Sequence, residues 1–184
     1  MDFQDCKQVS SSTDFPIKPE MGENKIRIIS TPEPIGEHFD KVLNRTITCV
    51  GGDKGCVYCN AEQKPSVKYI LWAYVYSLEH FKMLKVGWTV IKEIKILSQS
   101  TDWGFPKGEA PPYDIIINRS GEGKNTEYKV NPSPNQEPLP IKTPTDLKPI
   151  ADIIQSYKDK VLANQVASEL GGTVTDETPT PDFV

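Results

Sequence analysis

Polar and apolar residues alternate through Lys25-Ile26-Arg27-Ile28-Ile29-Ser30, the pattern of a half-buried strand, and Pro32 and Pro34 are expected to end it. Arg45 to Val50 reads as a second short strand. Val67 to Ser77 gathers Tyr, Ile, Trp and Val into one run and predicts the strongest strand, with Phe81 to Val86 as its hairpin partner. After Gly87 the period changes. Val90, Ile91, Ile94 and Leu97 recur at helical spacing with Lys92, Glu93 and Lys95 on the outer face, and Asp102, Gly104 and Pro106 mark the exit. Tyr113 to Arg119 and Thr126 to Val130 then predict a hairpin around Ser120-Gly121-Glu122-Gly123.

Five main strands with a helix between the third and fourth are the order of an OB-fold, a small Greek-key barrel. The expected class is therefore mostly β with helices. The expected layout is a flexible N-terminal arm over 1–21 and a core over 22–135 with a small insertion at about 38–60. A Pro-rich linker follows over 136–145, then an amphipathic helix over 146–172 and an acidic tail over 173–184. Leu147, Ile150, Ile153, Ile154, Tyr157, Val161, Leu162 and Val166 form the apolar stripe of that helix, and Gly171-Gly172 its expected cap. Two roles stay open for it: packing back on the barrel, or binding a partner.

The insertion carries the chemistry. Cys49, Cys56 and Cys59 fall within eleven residues, and His38 stands ahead of them, giving H-x10-C-x6-C-x2-C. The Cys56/Cys59 knuckle offers two adjacent corners of a tetrahedron, and glycines 51, 52 and 55 let the chain turn to bring in Cys49. With His38 as fourth ligand the site is closed, which predicts one structural Zn²⁺ rather than a catalytic one. A redox pair and a disulfide are the competing readings. The first lacks a helix starting at Asn60-Ala61 ahead of Pro65, and the second suits an oxidising compartment. His80 is expected at a surface turn, and Cys6 as a free thiol.

Net charge changes the picture little. The total is −4, with −1 over residues 1–19, +1 over 20–135 and −4 over 136–184, which is not the basic field of a duplex-DNA binder. No basic-then-apolar leader and no run of eighteen apolar residues is present, which predicts neither secretion nor a membrane span. No H-E-x-x-H, P-loop or G-x-S-x-G motif appears, so an enzyme is not expected.

Read with period two, Tyr69, Leu71, Ala73 and Val75 suit a barrel interior, while Lys68, Ile70, Trp72, Tyr74 and Tyr76 share the other face. Phe81 and Lys85 of the next strand would join them. Rings with a basic rim are what a single-strand nucleic-acid platform requires, since bases stack on rings and cations follow phosphates. Arg119 and Tyr128 supply a second set of expected contacts.

Several stretches carry a family resemblance: Gly22-Glu-Asn-Lys-Ile-Arg-Ile-Ile-Ser, Glu37-His38-Phe39, Cys49 with Cys56-Val-Tyr-Cys59, and Leu84-Lys-Val-Gly-Trp-Thr-Val-Ile. Tyr113-Asp-Ile-Ile-Ile-Asn-Arg-Ser-Gly-Glu-Gly and Tyr128-Lys-Val-Asn-Pro complete the set. In this order the chain resembles the phage single-stranded-DNA-binding proteins related to the T-even phage helix-destabilising protein, over roughly positions 22–135. The resemblance implies an OB-fold core with a zinc insertion ligated by one His and three Cys, matched here by His38, Cys49, Cys56 and Cys59. It implies a protein that coats exposed single-stranded DNA in replication, recombination and repair in the cytoplasm of an infected bacterium. Replication or recombination proteins would be met through the C-terminal segment. The N-terminal arm lacks that protein's basic cluster, and the metal-ligand gaps differ. A zinc-stabilised adaptor for phage replication or transcription machinery is the alternative expectation.

Overall fold

The computed structural model describes residues 15–134, 136 and 138–169. They form β1 (Gly22–Ile28), β2 (Glu33–Asp40), β3 (Arg45–Thr48), α1 (Val57–Asn60), β4 (Ser66–Val75), β5 (His80–Val86), α2 (Trp88–Ser98), β6 (Ile115–Ser120), β7 (Glu127–Pro132) and α3 (Ile150–Glu169). The fold is mostly antiparallel β-sheet with a few helices. Among the described residues no helix is long and apolar enough to cross a membrane.

β4 is the hub. β5 pairs with residues 69–75 along one edge. On the other edge β1 takes residues 73–75 and β2 takes 66–70. β6 pairs with β1, β7 with β6, and β3 with β2. Residues 70–75 are buried without alternation because both faces of β4 are covered. By register, Leu71, Leu84, Ile26, Ile28, Ile115 and Ile117 share the inner face and pack with Val90 of α2. Ile70, Trp72 and Met83 share the other face, and Ile150 and Ile154 of α3 join the same cluster.

The expected closed barrel is not found. An OB barrel needs a further ladder between β5 and β7, and the described residues contain none; the sheet is open. The free edge of β5 instead takes Ile17. Its N–H donates to the Met83 carbonyl and its carbonyl accepts from Lys85 N–H, each at 2.8 Å. Two residues on, the Pro19 carbonyl accepts from Arg119 Nη1 at 3.0 Å. Residues 15–21 thus belong to the fold, where the sequence had placed them in a flexible arm. The acidic tail over 173–184, the Gly171-Gly172 cap and Cys6 lie outside the described residues.

β2 was not expected, because Pro34 and Gly36 lie inside it. β3 reaches only Glu37 to Asp40, so β2 is an edge strand at Pro34, a place where the missing N–H is tolerated. α3 packs back on the sheet: Trp72 Nε1 donates to the Lys148 carbonyl at 3.0 Å, anchoring the chain at the start of the helix.

A candidate metal centre on the β2–β3 hairpin

His38, on β2, turns its side chain away from the face shared by Glu37 and Phe39. Opposite it on β3 stands Ile47, and two residues later Cys49 N–H donates to the Gly36 carbonyl, which holds that sulfur beside β2. The chain then reverses through a 3₁₀ turn over residues 52–54. Gly51 has φ 100°, and a Cβ there would stand 2.6 Å from Asp53 Oδ1. Gly55 has φ 78°, so both ends of the turn use conformations that favour glycine. Cys56 precedes the single turn α1, and Cys59 lies within it.

The four predicted ligands meet: His38, Cys49, Cys56 and Cys59 offer atoms all within 4.8 Å of one another. His38 Nε2 is 3.6 Å from Cys56 Sγ and 3.4 Å from Cys59 Sγ, and Cys49 Sγ is 3.5 Å from Cys59 Sγ. A tetrahedron with arms of about 2.3 Å to sulfur has edges of about 3.8 Å, so the donor set fits one metal ion of tetrahedral preference. The thiols are free cysteines, and a disulfide would need sulfurs about 2.05 Å apart.

The electrostatics suit ligation. Burial lowers the His38 pKa, favouring the neutral ring that a metal accepts. Burial alone would push the Cys56 thiol up, but hydrogen bonds from the backbone of Cys59, Tyr58 and Val50 and from the Cys59 side chain bring it below its ordinary value. Cys59 is pushed up to about 12, first by its hydrogen bond to Cys49 and then by burial. The cluster thus holds protons on crowded sulfurs that a cation would displace.

A second layer that the sequence did not single out supports the imidazole. Tyr58 stacks on the His38 ring with centroids 5.2 Å apart, and its hydroxyl donates to Asp40 Oδ2 at 2.6 Å. Burial, then Asp40, pushes the Tyr58 hydroxyl up to about 12, while that same bond holds Asp40 below its ordinary value. His38 Nδ1 is buried without a hydrogen-bond partner among the described residues, so stacking takes the place of the usual polar contact to the far ring nitrogen. The only signal in the sequence was local: Tyr58 sits inside the C-x2-C, and Asp40 two residues after the histidine.

The expected nucleic-acid face is assembled differently. Trp72, Tyr74 and Phe81 are buried, and Tyr76 is half-buried, its hydroxyl 3.0 Å from both oxygens of the buried Asp114. Arg27 Nε, at 2.6 Å, and Lys25 Nζ, at 3.4 Å, also meet that carboxylate. These rings do not form an open platform: Trp72 meets the segment leading into α3, and Tyr74 packs edge-on against both Tyr76 and Phe81. Lys85 is committed to Glu37 at 2.7 Å, each side chain 11% exposed. Lys68 is half-buried, Arg119 holds the Pro19 carbonyl, and Tyr128 packs on the core. His80 is exposed, as expected, but it is the first residue of β5, opposite Val75, and not part of the turn. Comparison of the chain with family models, curated proteins and solved structures finds no match.

Proposed function

We infer that this chain is a single-stranded-DNA-binding protein of the phage replication, recombination and repair type, built on an OB-like sheet and stabilised by one structural Zn²⁺. The observation that carries this reading is the pairing order β5-β4-β1-β6-β7 with α2 between β5 and β6. That is the strand order of an OB-fold lacking its closing ladder, an architecture suited to holding single strands. The residues quoted for the family resemblance lie in these same elements, which supports the same reading.

Zinc suits the donor set: three thiols and an imidazole match a soft, tetrahedral ion of structural type. His38, Cys49, Cys56 and Cys59 would hold it, and the metal would supply cross-linking of the β2–β3 hairpin to the loop beyond. Four protein donors leave no coordination position for a substrate, which supports a binding role over a catalytic one. The proposed place of work is the cytoplasm of the infected host, with replication or recombination proteins met through the C-terminal segment.

The adaptor reading has its own observation. Val42 is 92% exposed and Leu43 53% at the β2–β3 turn, an apolar tip of the kind that marks protein contacts. Titration with oligo-dT at low and high salt separates the two. Micromolar or tighter binding that weakens with salt is expected for the DNA reading. No response at micromolar protein in low salt overturns it in favour of the adaptor.

A further inference from the structure

The solvent side of α2 is not uniformly polar. At about 100° per residue, Trp88, Lys92, Lys95 and Ile96 fall within one arc of about 100°, and all four are exposed. Val90, Ile94 and Leu97 take the opposite side, against the core cluster. Trp88 is 54% exposed and Ile96 52%, so the stripe sets a ring and an aliphatic chain among two cations. The one acid of the helix, Glu93, stands on its flank and is half-buried. Neither lysine enters an ion pair among the described residues, so both charges are open to solvent.

The stripe meets the sheet at its N-terminal end. The Trp88 ring lies 6.1 Å from that of Tyr69 and is tilted 38° to it. Tyr69 stands opposite Pro34 and Val86, and Val67 shares its face by period two, opposite Gly36. Val67 is 51% exposed and Pro34 is exposed, while Gly36 has no side chain to stand over them. Phe39 and Lys68 belong to the other face of the sheet, with Glu37 and Ile35. Lys92 and Lys95 lie about 6 Å and about 10 Å beyond Trp88 along the helix axis, at about 1.5 Å per residue. Ring and cations thus form one continuous strip.

We propose that this strip holds single-stranded nucleic acid, with a base stacked on Trp88 and neighbouring phosphates met by Lys92 and Lys95. This deepens the DNA-binding reading and rests on it, moving the contact from the aromatic face of β4 to the solvent side of α2. Charge complementarity selects the occupant. Two unpaired cations call for a polyanion, and a half-exposed indole beside them serves a base better than it serves a carboxylate.

Anisotropy of a labelled oligo-dT, read at several salt concentrations, tests it. Trp88→Ala should weaken binding about five- to 150-fold with an unchanged salt slope, the range expected of one lost stacking partner. The Lys92→Ala, Lys95→Ala pair should flatten the slope of log K against log salt by about 1.4, or 0.7 for each phosphate contact on a single strand. Phe39→Ala, an exposed ring on the other sheet face, should bind as the parent does. All these positions are exposed, so metal content and melting temperature should hold. A loss in the lysine pair alone, with Trp88→Ala equal to the parent, would mean that the helix attracts any polyanion, and overturns the strip. Salt-dependent binding by the parent with no loss in any α2 variant also overturns it and leaves the DNA reading standing. No binding by the parent at low salt removes the DNA reading, and the strip with it.

Discussion

Around β4, six consecutive residues from Ile70 to Val75 are buried, and their neighbours on β1, β5, β6, α2 and α3 complete one apolar cluster. In the lobe that carries the His/Cys cluster the buried apolar set shrinks to Cys49, Val50 and Cys56, with Tyr58, Cys59, Val161 and Leu162 half-buried against it. The first region holds its shape by excluding water from side chains on both faces of a strand. The second has little apolar area for that, as small units generally do, and carries four metal donors in its place. The two are tied by α3, whose first turns enter the large cluster and whose later turns reach the thiols.

The sharpest way to break this comparison is to take the metal away. Structural zinc contributes on the order of 10 kcal/mol to the folding of small zinc peptides. Chelation, or Cys56→Ser, should therefore abolish amide-exchange protection in β2, β3 and residues 49–61. Protection in β4, β5 and β6 should be largely retained. Uniform loss across the chain would mean that the regions are one cooperative unit, and no change would mean that the lobe needs no metal. Acid should strike the same lobe first. Burial holds His38 below its usual 6.5, so destabilisation begins as pH falls through 6.5 and is complete below the lower folded value.

The reverse experiment acts on the large core. Trp72→Ala removes a ring that is 6% exposed and the donor to the Lys148 carbonyl, and should cost about 3–5 kcal/mol. Chemical denaturation should reveal this loss while the bound metal stays stoichiometric. A cost below about 1 kcal/mol would mean that the ring is not core.

The two regions also differed in how far the sequence disclosed them. The ligand set was legible because tetrahedral coordination restricts both residue type and spacing, and His38, Cys49, Cys56 and Cys59 do converge. β4, β5, α2 and the β6–β7 hairpin were legible from period and turn chemistry. β2 was not, since Pro34 argues against a strand until the edge it lies on is known. The aromatic face was misread for a related reason. Period two separates the sides of a strand but does not say what lies against one, and here the chain at Lys148 meets Trp72 while Tyr74, Tyr76 and Phe81 pack on one another. Closure failed similarly, because strand order does not determine whether β7 reaches β5 or Ile17 takes that edge.

A smaller effect sharpens the link between the regions. Leu162→Ala trims a half-buried contact to the thiol cluster and should cost about 1 kcal/mol in metal-loaded protein, well under the 2–5 kcal/mol of a fully buried leucine. In a Cys56→Ser background the lobe is already loosened, so the same change should cost little. The non-additivity is the measurement of coupling between α3 and the metal centre. Strictly additive effects would mean that α3 rests on the lobe without sensing the metal.

The subtlest test stays within the lobe, where Tyr58 serves the His38 ring in two separable ways. Its ring stacks on the imidazole, and its hydroxyl is bonded to Asp40. Tyr58→Phe keeps the stack and removes the bond, whereas Tyr58→Ala removes both. Outer-layer partners of a metal ligand commonly alter affinity about 10- to 100-fold, by fixing ring orientation. If stacking does that here, the Ala variant should lose metal affinity in that range in a competition titration with a chromophoric chelator. The Phe variant should then stay within a few-fold of the parent, because His38 Nδ1 receives nothing from the Tyr58 hydroxyl. Equal losses in both variants would transfer the role to the Asp40 bond, which closes the β2–β3 turn through the Val42 and Leu43 N–H groups. In that case the imidazole is held by the shape of the hairpin and not by the ring lying against it.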